Sequence, residues 1–544
     1  MLQDFFCKFA PSVTAAESDP IPALTKKQMQ PKFSMNMLPL VRFHRAARLR
    51  FSDGSKRRPG LCAGIAALLL AVSCGKDITV TEQLDQKPEI FPDYSEVTVP
   101  PNIAPLNFSY LGDKPARLIV SAGSLTRQIK AENGLFSFPK SLWKELTKNN
   151  EGGEISLTVA VNDSGRWLAY KPFSIKVSTD RIDPYISYRL IPPGYQAWKK
   201  MGIYQRNLET YSQTAIFEND LTGGNCVNCH TYCQRDPSKM VFHARAEFGG
   251  TAMILDDKVE KLNTKTDSTV SALVYPYWHP DGKYVAFSVN KTNQNFFSHD
   301  PNKVEVYDSA SDVVVYDVDT HEIFWSPLTR SESSFETFPT FSPDGRSLYF
   351  CTADAVGPMP QEYSKAKYSL VRIGFDPENT TFGEKADTVY NGAANDRSVS
   401  FPRVSPDGKL LVFTLSEYGN FSIWHKDSDL WAANLETGDV YPLTEANSDD
   451  VESYHSWSGN SRWLVVASRR IDGLHTRPFF IHIDENGQAS KPFLLPQKNP
   501  LEYYSSQMNS FNLPEFMSRK ATVSKRSIAT ALRDTDGTDV KVRR

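Results

Sequence analysis

Four stretches of this 544-residue chain align with one another without a gap, and that repetition limits what it can fold into. They are Tyr275–Phe287 (YPYWHPDGKYVAF), Phe338–Phe350 (FPTFSPDGRSLYF), Phe401–Phe413 (FPRVSPDGKLLVF) and Tyr454–Val466 (YHSWSGNSRWLVV). Pro276, Pro339 and Pro402 recur at one interval, and His455 takes the equivalent place in the fourth stretch. Each of the first three reads as an aromatic strand, a Ser/His-Pro-Asp-Gly turn and a second apolar strand. Proline presets φ at the second turn position, aspartate caps the turn, and glycine supplies the positive φ. The result is a tight hairpin. Further strands follow in most units, as in Asp312–Phe324 and Asp429–Thr444. Four strands in every roughly 50–65 residues predict the blades of a β-propeller.

These repeats resemble those of the TolB-like β-propeller family, whose PD40 repeats are related to WD40 blades. The resemblance rests on the Pro-Asp-Gly turns at 280–282, 343–345 and 406–408 and on the strands after them, and spans about residues 226–495. It implies an all-β fold, commonly of six blades, and a non-enzymatic scaffold that binds envelope proteins. The fourth unit departs, with Ser458-Gly459-Asn460-Ser461 in place of the proline turn. A sixth blade is expected from residues 182–225, from 496–516, or from both closing together.

Ahead of the repeats, short β-branched segments such as Ala116–Ser121, Glu154–Val161 and Phe173–Val177 predict a small β-sandwich over residues 92–177. Residues 178–225 read as a connector that can take part in the closing blade, and 226–516 as the propeller. Residues 517–544 are polar and basic and read as a disordered tail.

The N-terminus supplies an address. Leu61–Val72 (LCAGIAALLLAV) is too short to span a membrane and has the length of a signal-peptide core. Arg42, Arg45, Arg48, Arg50, Lys56, Arg57 and Arg58 precede it as a basic region. Ser73-Cys74-Gly75 follows and resembles a lipobox, with Ala71 where leucine is usual and Val72 bulky for its place. Residues 1–73 are thus expected to be presequence and signal peptide, with translation starting at Met35 or Met37 as an alternative to Met1. Cys74 is the expected lipidation site, 74–91 a polar linker, and the cell envelope the expected location, with the membrane reached through the lipid anchor.

Chemistry is concentrated in one cluster, Cys226-Val-Asn-Cys229-His230, with Cys233 close behind. Cys-x-x-Cys-His is the spacing at which two thiols attach a haem and the histidine binds its iron. This reading expects covalent haem c on Cys226 and Cys229, with His230 as axial ligand and an envelope redox partner for electron transfer. Met240 or His243 is the candidate distal ligand, with Met253, Met508 and His455 weaker. Strand alternation places Met240 and His243 on opposite faces. Three alternatives stay open: zinc on Cys226, Cys229, His230 and Cys233, a disulfide within the cluster, or no cofactor. Cys233 is unexplained by haem attachment, and Cys351 reads as a buried small hydrophobe.

Other classes are disfavoured. A net charge of −2 gives no electrostatic case for nucleic acid. Asp281, Asp344 and Asp407 are turn residues rather than catalytic carboxylates. The chain has no Gly-x-Ser-x-Gly elbow and no α/β segment after the propeller, so hydrolase chemistry is not expected.

Overall fold

The computed structural model describes residues 77–193 and 200–543. The apolar run at 61–72 and the lipidation candidate Cys74 lie outside these residues. Among those described, no helix is long and apolar enough to cross a membrane.

Residues 82–177 form two sheets around a shared core. The larger has seven strands, and Ala116–Ala122 shows why it forms: its residues alternate buried and half-buried along the strand. The smaller pairs Ile90–Phe91, Phe108–Tyr110 and Leu135–Phe136. The helix Lys140–Asn149 adds Trp143 and Leu146 to the core. The expected linker 74–91 is corrected by this pairing. Glu82–Gln83 lies parallel to Arg166–Ala169, and Ile90–Phe91 pairs with Phe108–Tyr110, because their backbone groups complete open sheet edges.

The rest is a propeller. Among the described residues six mainly antiparallel sheets follow one another, and each has one innermost strand. We label these strands β1 (Val227–Cys233), β2 (Val274–Trp278), β3 (Ser334–Phe341), β4 (Ser398–Val404), β5 (Glu452–Trp457) and β6 (Ser510–Met517). Consecutive labels are spatial neighbours, and β6 returns to β1, so the ring closes. The sheet of β6 is built from both ends of the domain. Its outer strands are Tyr185–Ile191, Gly202–Asn207 and Gln213–Glu218, and β6 pairs antiparallel with the first of them. The propeller therefore begins near 185, not at 226, and the expected connector 178–225 is three strands of a blade.

The turn chemistry holds in detail. Gly282, Gly345 and Gly408 have φ of 76°, 72° and 76°. Asp281, Asp344 and Asp407 accept the backbone N–H two residues on. The divergent fourth unit folds alike, with Asn460 accepting the Arg462 N–H and Ser461 taking the left-handed φ of 61°.

The C-terminal tail is not disordered. Lys525–Arg533 is a helix that buries Ile528, Ala529 and Leu532, and Thr538–Asp539 and Lys541–Val542 add parallel to the outer edges of the β1 and β2 sheets. Its polar composition concealed one apolar helix face, which suffices to dock it. Truncating Ile528 or Leu532 to alanine is expected to cost about 2–4 kcal/mol in urea unfolding. An unchanged midpoint would show that the tail lies outside the cooperative fold.

Candidate functional site

All six innermost strands share one irregularity. Each slips register against its neighbour at a bulge, and each bulge begins with a non-glycine residue at positive φ. These residues are Cys229 (53°), Tyr275 (48°), Phe338 (51°), Phe401 (53°), Tyr454 (30°) and Leu513 (50°). The left-handed conformation costs an L-residue about 1–2 kcal/mol. A bulge residue makes no ladder bond, so proline is tolerated directly after it. Pro276, Pro339, Pro402 and Pro514 take that place in four strands, and His230 and His455 in the other two.

Cys229-His230 is thus the bulge pair of its blade, equivalent to Tyr275-Pro276. The next turn is also different. Cys233 pairs with Asp236 across Gln234 and Arg235, both at positive φ, as in a type I′ hairpin. Asp236 accepts the Ser238 N–H as Asp407 accepts that of Lys409, but without a Pro-Asp-Gly turn the repeat is obscured here. Cys229, His230 and Cys233 lie on β1, the innermost strand of this blade, and Cys226 directly precedes it.

The six bulge residues line one central cavity of about 210 Å³. Four of them form a girdle, with ring centroids 4.9 Å apart for Tyr275–Phe338, 4.5 Å for Phe338–Phe401 and 4.3 Å for Phe401–Tyr454. Phe421 packs against three of these rings. Turn residues Gln234, Pro280, Pro343 and Pro406 also contribute to the wall.

Polar groups interrupt this apolar lining. His230 is 2% exposed, its Nε2 lies 3.0 Å from the Ser187 hydroxyl, and its Nδ1 has no partner. Burial, aided by the nearby Arg189 guanidinium, lowers its pKa to about 3. His455 is held at about 3 mainly by burial. Its Nε2 donates to the Val412 carbonyl at 2.9 Å, so its Nδ1 is a bare acceptor, again unpartnered. Glu515 accepts the Tyr232 N–H (3.2 Å) and the Thr231 hydroxyl (3.0 Å), and burial pushes its pKa up to about 7. Arg403 lies with its guanidinium 5.0 Å from the centre of the Tyr277 ring.

The sequence-predicted set is divided by this geometry. Cys229 and His230 share the cavity wall. Cys226 and Met240 sit instead in an apolar cluster with Met201, Phe217 and Phe242. Cys226 is disulfide-bonded, whereas Cys229, Cys233 and Cys351 carry free thiols. His243, on the opposite strand face from Met240, has its Nδ1 2.7 Å from the Thr251 hydroxyl, and it is not on the cavity wall. Cys233 donates to the His279 carbonyl at 3.6 Å, and burial raises its pKa to about 11. Cys351 is fully buried. Of the motif and its candidate distal ligands, Cys229 and His230 line the cavity, whereas Cys226, Met240 and His243 do not. Nor do the four residues of the zinc alternative converge, since no group of three or more His, Cys, Asp or Glu among the described residues could hold a metal ion. Strand alternation and the bulge separate side chains that are adjacent in sequence. Sequence reasoning missed the girdle, Arg403 and Glu515, although the aromatic-proline pairs already marked the first.

No protein-family model matches the chain. Dipeptidyl-peptidase 5 of Porphyromonas gingivalis is 24% identical over 179 residues, which is 32% of this chain and 21% of that protein. The chain therefore spans about a fifth of the length of the curated relative it matches. Among solved structures, an oligogalacturonate lyase in complex with manganese aligns with a TM-score of 0.34 at 13% identity, over 63% of this chain and 85% of that one. The periplasmic gluconolactonase of Pseudomonas aeruginosa gives 0.31 at 13%, over 57% and 97%. The propeller assignment rests on the sheets themselves.

Acid should expose the histidines. The folded state keeps His455 neutral to about pH 3, whereas the unfolded chain protonates it near 6.5. Its contribution is complete above pH 6.5 and is lost as pH falls from there toward 3. Glu515 acts in the opposite sense, since its raised pKa favours the protonated folded form below about pH 7. In His455→Gln the loss of urea stability between pH 7 and 4.5 should be smaller than in the parent. An equal loss would mean that His455 is not buried in neutral form.

Proposed function

We propose that this chain is an exported, lipid-anchored binding protein whose ligand site is the central cavity of the propeller. One observation carries the reading. Six equivalent bulges, each held in a costly backbone conformation, turn their side chains into the same cavity. Strain of this kind concentrates where a ligand is gripped. Concave, mostly apolar sites with a few polar groups are also the usual form of a ligand pocket.

A second reading, covalent haem, is favoured by the shared position of Cys229 and His230 on that wall. The buried, neutral imidazole of His230 is the form that binds a metal. This reading requires Cys226 to leave its apolar cluster and to be free of its disulfide. An envelope redox partner and electron transfer belong to this reading alone.

One preparation separates the two. The chain is expressed with a c-type cytochrome maturation system, stained for covalent haem, and treated with iodoacetamide while folded. The cavity reading expects a colourless protein alkylated at Cys229. A haem stain that is lost in Cys226→Ala/Cys229→Ala would establish the second reading. A colourless protein with an unreactive Cys229 would defeat both.

A further inference from the structure

We infer that the central cavity binds a carboxylated sugar, a single uronate-type ring, an inference that rests on the cavity being a ligand site. Size sets the first limit. A volume of about 210 Å³ falls below the roughly 300–1,000 Å³ typical of drug-sized ligands. One ring fits that space better than an extended chain.

The walls set the second. Tyr277, Trp278, Phe341 and Trp457 add aromatic faces to the girdle, and the C–H face of a pyranose packs flat on such rings. An apolar ligand would suit these faces but not the polar atoms between them. Trp278 is 3% exposed, and its Nε1–H has no acceptor. The Nδ1 of His455, itself 4% exposed, has no donor, and the Nδ1 of His230 is also unpartnered. A buried polar atom left unsatisfied costs about 1–3 kcal/mol. Wall residues thus offer an unused donor and an unused acceptor, and sugar hydroxyls answer both.

Charge sets the third. Arg235 has Asp183 at 3.8 Å, but Arg403 has no carboxylate within 4.0 Å among the described residues. Its Nη1 is bonded only to the adjacent Pro402 carbonyl, at 2.8 Å. Glu515, whose pKa burial pushes up to about 7, offsets only part of that charge. The cavity wall thus holds a guanidinium, that of Arg403, with no ion-pair partner among the described residues, and its planar fork matches a carboxylate. A phosphate dianion would find one free cation for two charges.

The test uses the full chain and the Cys229 thiol as reporter. Iodoacetamide alkylation of Cys229 is followed by peptide mass spectrometry with galacturonate or glucuronate, and with glucose, galactose or acetate. Cys351, fully buried and not on the cavity wall, is the internal control. Uronates should slow Cys229 alkylation saturably and leave Cys351 unchanged, with neutral sugars requiring about tenfold higher concentration. Arg403→Gln should abolish the preference for uronates. Trp278→Phe, which keeps the ring and removes the donor, should weaken uronates and neutral sugars alike. Cys229 that alkylates at the same rate with every sugar would overturn the inference and leave the cavity reading standing. So would protection by acetate equal to that by uronate, or uronate preference that survives in Arg403→Gln. Cys229 that never alkylates in the folded protein would defeat the cavity reading itself, and the inference with it.

Discussion

Everything in the propeller depends on one strand pairing, that of β6 with Tyr185–Ile191. Without it the ring has a gap, and two sheet edges lie open to water or to other chains. The pairing joins residues more than 300 positions apart in sequence, so its loop-closure entropy is met only when the intervening sheets have stacked. It also brings Ser187, on one partner strand, within hydrogen-bonding distance of His230, and places Leu513 and Glu515, on the other, in the cavity wall. The candidate site is complete only when the ring is closed.

Closure is reinforced from both ends of the chain. The N-terminal sheets dock on the β5 sheet through Asp180, which accepts Trp463 Nε1–H at 3.1 Å and lies 2.8 Å from His482 Nε2. Tyr94 and Lys491 add contacts to Leu494 and Asp93. The buried core is continuous across this junction, so the two parts are expected to unfold together. At the other end, the tail lays one strand on each of two neighbouring sheets. A long hairpin, Tyr284–Phe296 with Val304–Asp317, reaches in addition to the sheet two places on, where buried Glu305 lies 3.1 Å from His425.

The central cavity shows how a repeat becomes a site. Six bulges in equivalent places put six side chains on one axis, and aromatic contact makes four of them a girdle. The two positions that break the aromatic pattern, Cys229 and Leu513, belong to adjacent strands. One segment of the ring is therefore chemically unlike the rest. There the cavity gains a thiol, the imidazole of His230 and the carboxyl of Glu515.

The sequence by itself determined the blades. The Pro-Asp-Gly turns and the aromatic-proline pairs act within a few residues, through φ preferences and local hydrogen bonds, and such effects can be read without knowing the neighbours. It also marked Cys226–Cys233 as unusual. Only the tertiary structure decided what those residues do, because a bulge and strand alternation send Cys226 into an apolar cluster and Cys229 into the cavity. The same holds for the tail, whose single apolar helix face has meaning only against the sheet it covers. It holds for Glu515 as well, which ring closure buries against Thr231 and Tyr232 and whose pKa that burial raises.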